Sequence, residues 1–147
     1  MLKVGDIAPD FTATTDEGKP LSLNSLRGSK VLLWFYPKAD TPGCTAEGCS
    51  LRDNFDHYQS HGVQILGVSV DSVADNAAFV KKFSFPFRLL CDTDRSISVA
   101  YGACEGPNAS RASRISYLID EQGKIERAYP GVNPREHAAQ VLSDLHG

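Results

Sequence analysis

The chain has 147 residues, 41% of them hydrophobic and 22% charged, with a formal net charge of -3. This length and composition fit one domain over 1–147 with a core of its own, and they exclude a disordered tail or a fibrous repeat. The acidic balance excludes a basic nucleic-acid or anionic-membrane binder. The four cysteines, Cys44, Cys49, Cys91 and Cys104, are too few for a disulfide-dense scaffold and are left to packing, metal binding or redox chemistry.

In chain order, the first residues lack the apolar stretch of a signal peptide. The longest apolar run, 31–36, falls far short of the roughly 20 residues that span a bilayer, so a soluble, cytoplasmic chain is expected. Residues 11–14 and 21–23 read as short edge strands. The β-branched and aromatic run 31–36, stopped by Pro37, reads as a buried central strand. A helix is predicted over 44–58, stopped by Gly62, then a second buried strand over 63–70. Residues 72–83 form a further predicted helix with Ala74, Ala77, Ala78 and Phe79 on its apolar face, and 94–101 a short one. The runs 115–119 and 124–129 flank Asp120, Glu121, Gln122 and Gly123 as a hairpin. Asn133 as N-cap, Pro134 first and Glu136 third open a last helix to Leu145. Strands alternating with helices, then a hairpin, predict an α/β fold: a mixed central sheet with helices on both faces and an N-terminal β extension.

The stretch 37–49 carries the chemistry. Thr41 is suited to an N-cap and Pro42 to the first helical position, which puts Cys44 third. Amides of a first turn have no partner inside the helix, and the helix dipole adds positive potential there, so an anionic thiolate is favoured. The loop also follows the carboxyl end of a buried strand, where open α/β sheets place their sites. The alternative for Cys44 is a packed small hydrophobe. Cys49 lies five residues on, about 8.7 Å away and about 140° around an ideal helix. A disulfide rarely tolerates more than ~7 Å, so a functional pair requires the first turn to unwind. Gly43 and Gly48 lower helix propensity on either side and ease such unwinding.

The pattern Pro-x-x-x-Thr-x-x-Cys, here Pro37, Thr41 and Cys44, resembles the active-site signature of peroxiredoxins. Thr-Pro-Gly-Cys-Thr-x-x-x-Cys, continuing into Leu51, Arg52 and Asp53, resembles the bacterioferritin comigratory protein (Q-type) branch. Gly5, Asp6, Ala8, Pro9, Asp10 and Phe11 match the amino-terminal segment of that family, and the stretch 114–120 matches the strand carrying its active-site arginine.

The resemblance implies a thioredoxin-like fold and reduction of hydrogen peroxide and organic hydroperoxides without metal, flavin or nucleotide. It assigns Cys44 as the attacking thiolate, Arg114 as the group holding it ionised, Thr41 as a positioner of the peroxide and Pro37 as a shield against water. It further implies that Cys44 becomes a sulfenic acid, that Cys49 condenses with it, and that thioredoxin or glutaredoxin resets the disulfide. The family pattern leans towards a monomer.

Other readings stay open. Arg111 competes with Arg114 for the arginine role, and Glu47 reads as a helix-start acid stabilised by the dipole. Cys91 reads as a packed thiol, whereas Cys104 lies in a loop where exposure would let it replace Cys49 as the resolving residue. A zinc site from Cys44, Cys49, His57 and His61 has unfavourable spacing. A disulfide carrier without peroxidase activity would want Cys-x-x-Cys, which the chain lacks.

Overall fold

The computed structural model describes residues 1–146. Its central strand is β3 (Lys30–Phe35), the predicted apolar run, whose residues are all buried after the first. β4 (Val63–Ser69) lies parallel to it, in register from Lys30 opposite Val63 to Phe35 opposite Val68. β5 (Arg88–Cys91) extends the parallel set beyond β4. On the other side β6 (Ser116–Ile119) runs antiparallel to β3 and forms the predicted hairpin with β7 (Ile125–Tyr129). β1 (Thr12–Thr15) and β2 (Pro20–Ser22) pair together, and β1 adds antiparallel to β5. The result is one mixed seven-stranded sheet in the order β2-β1-β5-β4-β3-β6-β7.

Alternation along β3 divides the core into two layers. Leu32 and Trp34, with Tyr36 just beyond the strand, enter one cluster, and Val31, Leu33 and Phe35 enter the other. The first cluster is covered by α1 (Pro42–Asp53), α2 (Phe55–Ser60), α3 (Val73–Phe83) and α5 (His137–His146), through Leu51, Tyr58, Phe79 and Val141. The second lies under α4 (Ser96–Ala100) and the segment 101–115. Each fully buried large apolar side chain contributes about 1.5–3 kcal/mol, and a one-residue slip of β3 would exchange its faces. The strand that leads into residues 37–49 is therefore firmly placed.

Several boundaries differ from the sequence expectation. The helix expected over 44–58 breaks at Asn54, whose side-chain Nδ2 donates to the Ser50 carbonyl at 2.8 Å and competes with the backbone ladder. The last helix begins at His137 and not at Pro134. Asn133 still organises the entry, its Oδ1 accepting from the Arg135 amide and its carbonyl from the Glu136 and His137 amides. In α3 the buried residues are Asn76 and Phe79, while Ala74 and Ala78 face solvent. No helix among the described residues is long and apolar enough to cross a membrane.

Candidate active site

β3 delivers the chain into a short loop, and α1 begins at Pro42 with Thr41 extended at the N-cap (φ -99°, ψ 157°). Cys44 is thus the third helical residue, as predicted, and it is fully buried. The Thr41 hydroxyl does not cap the helix; it donates to the Lys38 carbonyl at 2.7 Å inside the loop and leaves the first-turn amides without a side-chain cap from Thr41. Pro37 and Thr41 are both half-buried.

Antiparallel pairing brings the second component. The Phe35 amide donates to the Ile115 carbonyl at 2.8 Å, so the residue preceding Ile115 stands beside the end of β3. That residue is Arg114. Its Nη2 lies 3.5 Å from Cys44 Sγ, and its Nη1 donates to Glu47 Oε1 at 3.0 Å. A methyl group on Gly43 would come within 2.7 Å of Nη2, so the glycine leaves the guanidinium room to reach the thiol. Arg111, the competing arginine, is exposed and lines a different cavity with Pro37 and Lys38.

Glu47 differs from expectation. It is the sixth residue of α1, outside the first turn, fully buried, and its Oε2 has no hydrogen-bond partner. Burial pushes its carboxyl up to about 7 although Arg114 pulls the other way. Arg114 shows the opposite balance. Burial disfavours its charge, but Cys44 and Glu47 outweigh that and raise it further above its ordinary value. Pairing prevails at the partly exposed guanidinium, and burial prevails at the carboxyl that water cannot reach. The folded carboxyl thus holds its proton more tightly than an unfolded one. Its contribution to stability is present below about 4.5 and lost as pH rises through about 7. Glu47→Gln is expected to flatten that pH dependence, as read by urea unfolding at about pH 5 and about pH 8.

The other cysteines separate clearly. All four are free thiols. Cys49 is half-buried on the same helix as Cys44, and α1 runs unbroken through both, so the folded helix holds them apart. A methyl group on Gly48 would strike the Phe85 ring at 2.5 Å; this glycine therefore has a packing reason that its helix propensity did not reveal. Cys104 is buried, so it lacks the exposure that would let it compete with Cys49, and its Sγ contacts the Arg111 carbonyl at 3.5 Å. It belongs to the cluster across the sheet from Cys44, and burial pushes its thiol up. Cys91 is packed at the end of β5, with Asn76 Nδ2 at 3.4 Å, and burial raises its thiol as well. His61 packs edge-on against His146, and among the described residues no three metal-ligating side chains converge.

The site therefore joins a buried thiol at a helix start to a guanidinium shared with a buried carboxylate. Such a thiol can attack an electrophile and have the developing charge stabilised by the guanidinium beside it. Glu47 was legible in principle, since it follows Cys44 by three residues on the same helix face.

A family model described as the AhpC/TSA family matches residues 4–128. The chain is 39% identical over 149 residues to the peroxiredoxin Bcp of Escherichia coli strain K12, covering 98% of this chain and 96% of that protein. The crystal structure of peroxidoxin BcpB from Mycobacterium tuberculosis superposes with a TM-score of 0.91 at 29% identity, covering 99% of this chain and 97% of that one. A bacterioferritin comigratory protein of Xanthomonas campestris, studied for its alkyl peroxide reduction activity, gives 0.86 at 28% identity, covering 92% and 90%.

Proposed function

Because the chain belongs to the AhpC/TSA family, as a peroxiredoxin of the bacterioferritin comigratory protein (Q-type) branch, we propose that its thiol peroxidase chemistry runs through Cys44 as nucleophile and Cys49 as resolving thiol. The observation that carries this reading is the Arg114 guanidinium 3.5 Å from a buried Cys44 Sγ at a helix start. The Cys44 thiolate attacks the terminal oxygen of the hydroperoxide. The O–O bond breaks, the alkoxide takes a proton and leaves as alcohol or water, and Cys44 is left as a sulfenic acid. Arg114 stabilises the thiolate and the charge spreading over the oxygens, while the Thr41 hydroxyl and the Cys44 amide position the peroxide and Pro37 excludes water.

The first turn of α1 then unwinds, Cys49 condenses with the sulfenic acid, and water leaves. A dithiol protein, thioredoxin or glutaredoxin, reduces the disulfide by exchange. The substrate range is hydrogen peroxide and organic hydroperoxides, and the Xanthomonas protein's alkyl peroxide activity supports the organic part. The chain acts as a single domain over 1–147, a monomer in the cytoplasm.

Peroxide consumption coupled to thioredoxin and its reductase tests the cysteine roles. Cys49→Ser is expected to reduce one equivalent of peroxide at the wild-type rate and then to stall, whereas Cys104→Ser turns over normally, since Cys104 lies across the sheet. Sustained turnover in Cys49→Ser with loss in Cys104→Ser would move the resolving role to Cys104.

A further inference from the structure

The loop between β3 and α1 is held by a chain of hydrogen bonds that the chemistry above does not use. It leaves the main chain at Tyr36 and returns at Ala39, on either side of Pro37. The Tyr36 hydroxyl donates to Asn76 Oδ1 at 2.6 Å, and Asn76 Nδ2 donates to Ser69 Oγ at 3.3 Å. The Ser69 hydroxyl donates to Asp71 Oδ2 at 2.7 Å, and the same oxygen accepts the Ala39 amide at 2.8 Å. Tyr36, Ser69 and Asn76 are fully buried, so the chain is set deep in the protein and ends at the loop. The donors from Tyr36 through Asn76 to Ser69 all run towards the Asp71 carboxylate, so each reinforces the next and together they fix the oxygen that the Ala39 amide meets.

The loop needs such a tether for two reasons. Asp40, the residue after Ala39, has a φ of +58°, a left-handed conformation that a non-glycine side chain adopts only when its surroundings impose it. Packing does not impose it from the outside. A cavity of about 420 Å³, lined by Pro37, Lys38, Val70, Asp71, Arg95 and Arg111 among others, opens beside the loop. Lys82, whose Nζ lies 2.9 Å from Asp40 Oδ2, is exposed and supplies only a solvent-screened pair. The carboxylate of Asp71 is the buried-side anchor.

We propose that Asp71 is a positioning residue for peroxide reduction, fixing residues 37–41 so that Pro37 and Thr41 meet the hydroperoxide in register with Cys44 Sγ. Ser69, Asn76 and Tyr36 orient its carboxylate. The inference rests on Cys44 being the nucleophile, and it separates two properties of the site. Arg114 acts on the thiol directly, whereas Asp71 acts on the geometry of the peroxide and leaves the thiol as it was.

The experiment compares the rate of Cys44 oxidation by hydrogen peroxide with its rate of alkylation by iodoacetamide, which needs no peroxide pocket. Asp71→Ala is expected to slow oxidation about tenfold, the effect of losing one charge-assisted hydrogen bond. Its alkylation rate is expected to stay within about twofold. Because both donors converge on one oxygen, Asp71→Asn can present its own oxygen there and should return oxidation to within about threefold of wild type. If Asp71→Ala does not fold, Ser69→Ala is read in its place, with an expected loss of about threefold in oxidation alone. Wild-type oxidation in the variant read, a parallel fall of both rates, or Asp71→Asn as slow as Asp71→Ala would overturn the proposal. Full turnover in Cys44→Ser would overturn the reading beneath it, whereas an inactive Cys44→Ser beside a normal Asp71→Ala would overturn this inference alone.

Discussion

Replacing Cys44 by serine is expected to lower peroxide reduction by roughly 10⁴-fold or more, to the background of the assay, as removal of a nucleophile does elsewhere. The substitution changes one atom at a fully buried position. A serine hydroxyl there would be costly if it lacked a partner, by about 1–3 kcal/mol, but Arg114 Nη2 already stands at that atom and can donate to the oxygen. The fold should therefore survive, and circular dichroism with a thermal melt checks that it does. What disappears is the thiolate. An alkoxide cannot form at neutral pH in its place, so neither the arginine nor the helix start has an anion to stabilise.

The second large effect concerns Arg114. Arg114→Ala is expected to slow the reaction of Cys44 with peroxide by about 10²–10³-fold, the range found when one oxyanion-stabilising donor is removed. The same change removes the only group that favours the ionised Glu47, so burial holds its carboxyl as the neutral acid with its oxygens unpartnered, a cost of about 1–3 kcal/mol. Loss of activity could then be confused with loss of structure. The double variant Arg114→Ala with Glu47→Met replaces the orphaned polar group by an apolar one of similar size, so it should regain most of the stability and little of the rate. Arg114→Lys is expected to fall between wild type and Arg114→Ala. A lysine carries one compact ammonium and cannot address Cys44 Sγ and Glu47 Oε1 together, as two guanidinium nitrogens do here. Stopped-flow oxidation of the four proteins beside urea unfolding separates rate from stability.

The parts of the fold that local chemistry dictates were readable in the sequence. β3 after Lys30 is a continuous apolar run, and β4 is one broken by the exposed Gln64 and ended by Ser69, because both their faces are covered. The hairpin of β6 and β7 carries its turn residues between a buried strand and one buried only at its two ends. Thr41 and Pro42 marked the helix start that places Cys44. The unread parts depend on contacts between distant residues or on one competing side chain. Asn54 breaks a helix by bonding four residues back, a choice that apolar spacing does not record. Cys104 looked like a loop thiol, yet the segment around it folds down over the second face of the sheet, where Tyr101 and Ile115 enclose it in the same cluster. Arg114 lies 70 residues from Cys44. Only the family resemblance nominated it, and the antiparallel pairing of β3 with β6 supplies the physical reason. Glu47 was assigned to the helix dipole because its partner lay beyond any local window.

The central claim is that Cys44 is the residue oxidised by peroxide. Cys49→Ser treated with one equivalent of hydrogen peroxide in the presence of dimedone, digested and examined by mass spectrometry, tests it most directly. A dimedone adduct is expected on Cys44, none on Cys91 or Cys104, and a Cys44–Cys49 disulfide in wild type treated in the same way. An adduct on Cys91 or Cys104 with Cys44 left as the thiol would contradict it.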